Sequence, residues 1–171
     1  MSAYEPHEIR FQGVRVRYDS AKSYDELLAA LLADIGQLPV PINDFAVATD
    51  DWQSYQQLVQ SHIGPSGFML FGLFDHGAWI PKAGIDRKVV RVVLGNPLIA
   101  ITMLRHDVTA GLFAPVEVLL ADEGDDRSSL TYVAPSSLMV LQKDPAENPE
   151  LLSAAKELDA KLAALAAKVT F

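Results

Sequence analysis

The sequence predicts one α+β domain, and three observations support that prediction. The chain has 171 residues, enough for one domain with a substantial core and too few for two. Two apolar runs of strand length, residues 68–74 and 88–94, and a clear hairpin over residues 115–134 indicate a sheet. Segments with helical apolar spacing lie near both ends. We expect the stretch from Phe68 to Arg105 to organise the fold, because it combines predicted core with polar groups at strand ends.

Composition and charge narrow the classes of function that fit this chain. Half of the residues are hydrophobic and the mean hydropathy is +0.15, yet no apolar run reaches the roughly 18 residues that a membrane span requires. Together with a polar start that lacks a signal-peptide segment, this predicts a cytoplasmic protein. The net charge of −8 and the pI near 4.8 disfavour binding to nucleic acid or to anionic membranes. The lack of cysteine excludes thiol nucleophiles and thiolate metal sites.

Alternating side chains predict the first strand over residues 8–18. The alternation shifts by one residue at Gln12-Gly13, where a bulge or tight turn would absorb the slip. Three basic side chains are then expected on the solvated face of the strand: Arg10, Arg15 and Arg17.

Capping residues predict the first helix. Ser23 and Glu26 match a capping box, an apolar stripe follows them, and Gly36 is a natural helix end. Residues 37–50 are expected to form a loop, because their two prolines oppose continuation of the helix.

A second helix is predicted over residues 52–59, with Thr49 or Asp50 as its N-cap. Ser66 follows in a Gly-Pro-Ser-Gly sequence that lacks the spacing of a nucleophile elbow, so we interpret it as a turn. The run 68–74 is almost continuously hydrophobic, which is typical of a strand covered on both faces.

Polar residues follow each of the two apolar strands predicted at residues 68–74 and 88–94. Asp75-His76 ends the first, and residues 77–87 are expected to be a loop or a short helical turn. The second strand, 88–94, is followed by Gly95-Asn96-Pro97. In this sequence Asn96 is predicted to cap a helix over residues 97–106, with the proline at its first position.

The last third of the chain contains a hairpin and a long helix. Strands at 115–121 and 128–134 flank an acidic tip at 122–126, which we interpret as a solvated turn because it lacks the calcium-loop spacing. Residues 136–141 are expected to form one helical turn. Asn148 and Pro149 then open a final helix whose apolar residues form a heptad-like seam. The seam fits packing on the domain's own sheet, and it also fits dimerisation.

The order of these motifs resembles the domain of unknown function 302 (DUF302) family. The resemblance lies in Asp75-His76 at a strand end, a second strand ending in Gly95-Asn96-Pro97, a helix that carries Met103, and a hairpin whose second strand holds Tyr132. It covers residues 9–140. Compared with the compact form of the family, residues 36–67 look like a helical insertion and residues 145–171 look like an added C-terminal helix.

The resemblance implies a fold rather than a reaction. It implies helices packed on a curved, mainly antiparallel sheet, similar to the TATA-binding-protein-like architecture, and a protein that is commonly a homodimer. The resemblance does not imply a DNA-binding activity, which the charge of −8 also opposes, and the family brings no established reaction. The expected ligand-binding residues are Asp75, His76, Gly95, Asn96, Met103 and Tyr132.

Two groups of residues carry the candidate chemistry. A carboxylate such as Asp75 can orient and tune the imidazole of His76, the usual group for proton transfer near neutral pH. Adjacent strand residues point to opposite faces, however, so both side chains also fit a structural role. At Gly95 and Asn96 the free N–H groups of a helix start are suited to an anion, although Asn96 capping its own helix explains the same residues.

No cofactor and no metal site are predicted. The four histidines lack metal-ligand spacing, and a site built from Asp75, His76 and His106 would require the fold to bring them together. The methionines at 69, 103 and 139 are expected in the core.

These observations lead to one leading prediction and two alternatives. The leading prediction is a noncatalytic small-ligand-binding or assembly protein that acts as a homodimer, with a pocket near Asp75, His76 and Asn96. The first alternative is a small enzyme in which His76 is the general acid or base, oriented by Asp75, while Asn96 supplies a hydrogen bond. The second is a structural protein that binds a partner through residues 36–67 or through the terminal helix.

Overall fold

Five antiparallel strands form one open sheet in the computed structural model, which describes residues 5–141 and 148–171. The strands are β1 (Arg15–Ser20), β2 (Met69–Asp75), β3 (Val89–Gly95), β4 (Val116–Gly124) and β5 (Arg127–Val133). Their order across the sheet is β1-β5-β4-β3-β2, and all four neighbouring pairs are antiparallel. The predicted α+β fold with a mainly antiparallel sheet is therefore confirmed.

Six α-helices accompany the sheet within the described ranges. They are α1 (Tyr24–Ile35), α2 (Ile42–Val47), α3 (Trp52–Gln60), α4 (Pro97–Leu104), α5 (Pro135–Met139) and α6 (Pro149–Thr170). Short 3-10 segments lie at His76–Ala78, Ile80–Ala83 and Val108–Phe113. None of the helices described combines the length and the apolar character needed to cross a membrane.

The main core lies between one face of the sheet and the helices α1 and α6. The predicted capping box starts α1, with the Ser23 hydroxyl accepting the Glu26 N–H while the Ser23 N–H donates to the Glu26 carboxylate at 2.8 Å. The heptad-like seam of α6 is buried in the main core, so its apolar residues pack on the domain's own sheet and helices. Its members are Leu151, Ala155, Leu158, Leu162, Leu165 and Val169.

A buried carboxylate connects α1, the turn before β2, and α6. Asp34 lies in the last turn of α1, where its carboxylate accepts the Ser66 N–H at 3.1 Å and the Ser66 hydroxyl at 2.7 Å. The Lys168 ammonium on α6 donates to the same carboxylate at 2.7 Å. Ser66 thus lies in a turn, as predicted, and its hydroxyl is used for structure.

A second apolar cluster holds α2 and α3 against β2. Phe45 of α2, Val59 of α3 and Met69 of β2 are its buried members. Met69 and Leu70 are adjacent strand residues and join different clusters, so α2 and α3 pack on the sheet face opposite to α1 and α6. They cover only the start of edge strand β2, and most of that face stays open.

Several predicted boundaries were wrong. The first strand begins at Arg15 rather than at residue 8, because its partner β5 ends at Val133, which pairs with Arg15. Residues 37–50 contain helix α2, which forms because Phe45 can be buried against α3 and β2. The N-cap of α3 is Asp51, whose carboxylate accepts the Ser54 N–H at 2.7 Å, and not Thr49 or Asp50.

The burial of β2 also differs from the prediction. Only its first half is covered on both faces, while Leu73 and Phe74 are 39% and 54% exposed. These two side chains are exposed because β2 lies at the edge of the sheet and its second half extends beyond α2 and α3.

Candidate functional site: the open face of the sheet

The uncovered face of the sheet forms a groove with a volume of about 670 Å³. In four of the five strands, alternate residues that do not face α1 and α6 point into this space. They come from β1, β5, β4 and β3, and the 3-10 segment Val108–Phe113 and helix α5 close one end. The volume lies within the range of about 300 to 1,000 Å³ that is usual for small-molecule sites.

One cross-strand row defines the width of the groove. Arg17 on β1 pairs with Thr131 on β5, which pairs with Leu119 on β4, which in turn pairs with Arg91 on β3. Three strand spacings separate the two arginine Cα atoms, a distance of about 14 Å. The row thus places a guanidinium at each wall and a hydroxyl and an aliphatic side chain on the floor.

A carboxylate network occupies one end of the groove. The Ser129 hydroxyl donates to Glu123 at 2.6 Å, and the guanidinium groups of Arg17 and Arg87 each lie 3.2 Å from the same carboxylate. The Ser129 hydrogen bond and the two nearby arginines hold the pKa of Glu123 below its usual range, against the opposing effect of partial burial. This end is therefore fixed in a charged state at neutral pH.

Arg91 is held on the opposite wall by two contacts. Its guanidinium pairs with both carboxylate oxygens of Glu117, with an Nε–Oε2 distance of 2.8 Å. It also lies 5.6 Å from the ring centroid of Phe74 on β2. The hydrogen bond to Glu117 raises the pKa of Arg91 further, so this wall presents a permanent cation in a restricted orientation.

The other end of the groove is apolar, with one additional arginine. Leu112 and Leu138 line it together with Val133, and Leu112 is 82% exposed. Arg15 pairs with Val133 across the strands and also lines the groove. Among residues 5–141 and 148–171, no carboxylate forms an ion pair with Arg15.

The predicted pocket near Asp75, His76 and Asn96 does not form. In the antiparallel pair of β2 and β3, Met69 pairs with Gly95 and Asp75 pairs with Val90. Asp75 and Asn96 therefore lie at opposite ends of two strands, about 20 Å apart along the strand direction. The prediction required both strands to end on the same side, and antiparallel pairing excludes that arrangement.

Gly95 and Asn96 are engaged in structure. The Asn96 side chain accepts the Leu98 N–H at 2.8 Å and donates to the Gly67 carbonyl at 2.9 Å. The Ile99 N–H is bonded to the Asn96 carbonyl at 3.0 Å, so the start of α4 has few donors left for an anion. A Cβ on Gly95 would lie 3.0 Å from the Phe71 ring and 3.2 Å from the Pro115 Cβ, so these side chains would have to shift to accept a larger residue.

Met103 lies near Gly95 and Asn96, but beside a crevice of only about 20 Å³. That volume is about enough for one water molecule. The Met103 side chain itself is almost fully buried in the main core, as are Met139 there and Met69 in the second cluster. The expectation that these three methionines pack in the core is confirmed.

Asp75 and His76 lie outside both the groove and the crevice. Asp75 is exposed and His76 is half-buried, with its ring 6.1 Å from that of Trp79 in an edge-on arrangement. Burial raises the pKa of Tyr24 to about 12, and the Asp75 carboxylate makes a smaller contribution. The Asp75 charge therefore acts on Tyr24, the first residue of α1. The convergence of His76, Asp75 and Asn96 on one cavity, which the enzyme alternative requires, is not found.

Tyr132 lines the groove and is also packed in the main core. Its register partners Val16 and Val118 pack in the main core, and its ring stacks on Tyr18 at 6.4 Å. Burial and the neighbouring Tyr18 raise the pKa of Tyr132 to about 12. Tyr132 is only 5% exposed, so it borders the groove while most of its side chain contributes to packing.

A sequence comparison identifies the family. The sequence matches the domain of unknown function DUF302 over residues 45–169. The chain belongs to the DUF302 family. This matched range includes most of α6 and leaves out β1, so it does not coincide with the family-like core predicted over residues 9–140.

A solved DUF302 structure has a similar fold. The crystal structure of an uncharacterized conserved DUF302 protein from Bacillus stearothermophilus is 18% identical to this chain, with a TM-score of 0.61. The similarity covers 91% of this chain and 97% of that one. No curated protein shows significant sequence similarity to this chain.

The sequence contained a signal for the groove of this DUF302 domain. Arg15 and Arg17 alternate with core residues in β1, as Arg91 does in β3 and Glu117 in β4. Of these residues, Arg15 and Arg17 were expected from the sequence to lie on a solvated face. Because the order of the strands was unknown, nothing in the sequence showed that they share one concave surface.

The part of the chain that the structure describes contains no cluster of potential metal ligands. Within those residues, no three side chains among histidines, aspartates and glutamates come together as a metal site would require. Asp75, His76 and His106 therefore do not form the three-ligand group considered from the sequence.

Proposed function

We propose that this DUF302 domain is a noncatalytic small-ligand-binding protein and that its ligand occupies the groove on the open sheet face. One observation carries the proposal. The uncovered face is a concave space of about 670 Å³ with charged walls and a mixed aliphatic and hydroxyl floor. Ligand sites combine a predominantly apolar surface with a few placed polar groups in this way.

The rigidity of the walls supports a binding role. Arg17, Arg91 and Glu117 project from strands, and their partners are fixed by strand pairing. Side chains that are already paired and oriented lose less conformational entropy when a ligand binds. The groove therefore requires little rearrangement to accept a molecule.

The titratable groups of the groove favour binding over proton transfer. Arginine stays protonated at any pH that proteins tolerate. The lowered pKa of Glu123 makes this carboxyl a poor proton donor near neutral pH. Asp75 and His76, the pair suited to acid–base chemistry, lie outside the groove.

Filling the groove tests the proposal. We expect N-phenyl-1-naphthylamine and 8-anilinonaphthalene-1-sulfonate to bind the wild type saturably, with one molecule per chain, in fluorescence titrations. Thr131→Trp places an indole on the groove floor at a strand position that tolerates tryptophan, so both affinities should fall at least about tenfold. Val47→Trp, at an 89% exposed position of α2 that does not line the groove, is the matched control and should bind as the wild type does. Equal binding by Thr131→Trp and the wild type would refute the groove as the site.

We also propose that the protein acts as a homodimer joined along β2. Strand β2 is an edge of the sheet, and its second half exposes Leu73 and Phe74. An exposed apolar edge strand is a template for pairing with another chain, and two antiparallel copies of one strand are related by a twofold axis. The apolar seam of α6 is buried in its own chain, which leaves β2 as the better interface.

The dimer is tested by mass in solution. Light scattering should give about twice 18.6 kDa at micromolar concentration. Leu73→Lys should shift the mass toward the monomer, because a lysine on an edge strand opposes pairing. A monomeric wild type would contradict this part of the proposal.

A further inference from the structure

We infer that the ligand of the groove is an amphipathic anion, whose acidic group contacts Arg15 and whose apolar part lies against Val133, Leu112 and Leu138. This inference rests on the proposed function, since it names the chemical class of the molecule that the groove takes. It concerns the end of the groove closed by the Val108–Phe113 segment and by α5.

The charge of the groove differs in sign from that of the chain. Four arginines and two glutamates line it, and Asp19, which lies outside the lining, is 2.8 Å from the Arg17 guanidinium. With Asp19 counted, one positive charge remains at the groove in a chain of net charge −8. Because the rest of the surface repels anions, this local positive field selects where an anion can bind. The four arginines are Arg15, Arg17, Arg87 and Arg91.

The arginines differ in how far their charge is already compensated. Arg17 and Arg87 share Glu123, and Arg91 is paired with Glu117 through two hydrogen bonds. Arg15 has no such carboxylate partner in the described ranges. Its guanidinium is thus the groove cation best able to gain a charge-assisted pair from a ligand.

The surroundings of Arg15 specify the rest of the ligand. Its strand partner is Val133, and Leu138 and the highly exposed Leu112 lie at the same end of the groove. An aliphatic or aromatic body covering these side chains would remove them from water, and it would exclude water from the ion pair at Arg15. The combination favours a carboxylate, sulfonate or phosphate ester that carries an apolar group.

A second copy of the chain is a poorer occupant of the same surface. Two grooves brought face to face would place one net positive surface against another, and like charges across an interface oppose association. The proposed pairing along β2 leaves the open face of each chain free.

Two probes that differ by one acidic group test the inference. 8-Anilinonaphthalene-1-sulfonate and N-phenyl-1-naphthylamine share the same aromatic body, and only the first carries a sulfonate. We expect the sulfonate to bind the wild type about tenfold more tightly, because a charge-assisted pair at a solvent-facing arginine is of that size.

Arg15→Gln should reduce the affinity for the sulfonate about tenfold and leave that for the neutral probe unchanged. Arg10→Gln is the matched control, since Arg10 is an exposed arginine in the extended segment before β1 and does not line the groove. Thermal unfolding of both variants checks that each stays folded, which we expect because both side chains are exposed.

The outcomes separate the inference from the proposed function. Equal binding of the two probes, or loss of sulfonate binding in Arg10→Gln to the same extent as in Arg15→Gln, would overturn the inference while leaving the groove as a site. If Thr131→Trp changes the binding of neither probe, the groove is not the site and both proposals fail.

Discussion

Removing the buried carboxylate of Asp34 should destabilise the protein more than any change to a surface ion pair. The Asp34 side chain is 2% exposed and accepts hydrogen bonds from the Ser66 N–H, the Ser66 hydroxyl and the Lys168 ammonium. In Asp34→Ala the two Ser66 donors lose their partner inside the protein. Lys168 is 55% exposed and can be hydrated by water.

The magnitude follows from these contacts. Breaking a buried charge pair costs about 3 to 5 kcal/mol, and the hydration of Lys168 places this case near 3 kcal/mol. For a chain of this length, that loss corresponds to a fall in Tm of about 6 to 12 °C. Urea denaturation and calorimetry at pH 7 measure both quantities.

A second ion pair of nearly the same length provides the control. Asp25 and Lys88 are 2.6 Å apart, but their side chains are 72% and 56% exposed. Asp25→Ala should therefore cost less than about 1 kcal/mol. The reasoning would be refuted if Asp34→Ala cost no more than Asp25→Ala, since burial and the Ser66 hydrogen bonds would then contribute nothing.

The pH dependence of the same variant has a defined sign. Burial alone would raise the pKa of Asp34, but the hydrogen bonds from Lys168 and Ser66 outweigh it and lower the pKa below 3.8. A carboxyl with a depressed folded-state pKa stabilises the protein above its unfolded-state pKa and loses that effect as pH falls through the folded-state value. The difference between wild type and Asp34→Ala should therefore be complete at neutral pH and shrink below about pH 4.

Three further predictions concern packing and electrostatics. Gly64→Ala should cost about 3 kcal/mol or more, because its Cβ would lie 1.9 Å from the Asp34 carbonyl oxygen, whereas Gly13→Ala meets nothing nearer than 3.4 Å and should be nearly neutral in urea denaturation. Phe45→Ala should cost about 3 kcal/mol in the same assay if α2 belongs to the cooperative fold, and a loss below 1 kcal/mol would contradict that. Raising NaCl to about 1 M should weaken binding of 8-anilinonaphthalene-1-sulfonate and leave N-phenyl-1-naphthylamine unaffected, since salt screens exposed charges; equal effects on both probes would contradict an electrostatic preference.

Local signals in the sequence were sufficient for most elements. The capping box at Ser23 and Glu26, the Asn96 cap of α4 and the hairpin of β4 and β5 depend on neighbouring residues, and the structure contains all three. The apolar seam of α6 was also visible in the sequence, but the elements against which it packs were not. Its burial in the chain's own core depends on contacts with distant elements.

The candidate site depended on information that the sequence does not carry locally. Asp75 and Asn96 were grouped because each follows a strand, but the antiparallel register of β2 and β3 sets them at opposite ends. Arg17 and Arg91 are far apart in sequence, and only the order β1-β5-β4-β3 places them on one row. Helix α2 was missed because its stability comes from burying Phe45 rather than from a capped, periodic sequence.

Amide chemical shifts in a titration with 8-anilinonaphthalene-1-sulfonate test the central proposal most directly. ¹⁵N–¹H NMR spectra should show saturable shifts at Arg15, Leu119 and Thr131, three groove-lining residues on three different strands. Shifts concentrated at Asp75 and Asn96, with these three amides unchanged, would contradict the groove as the ligand site.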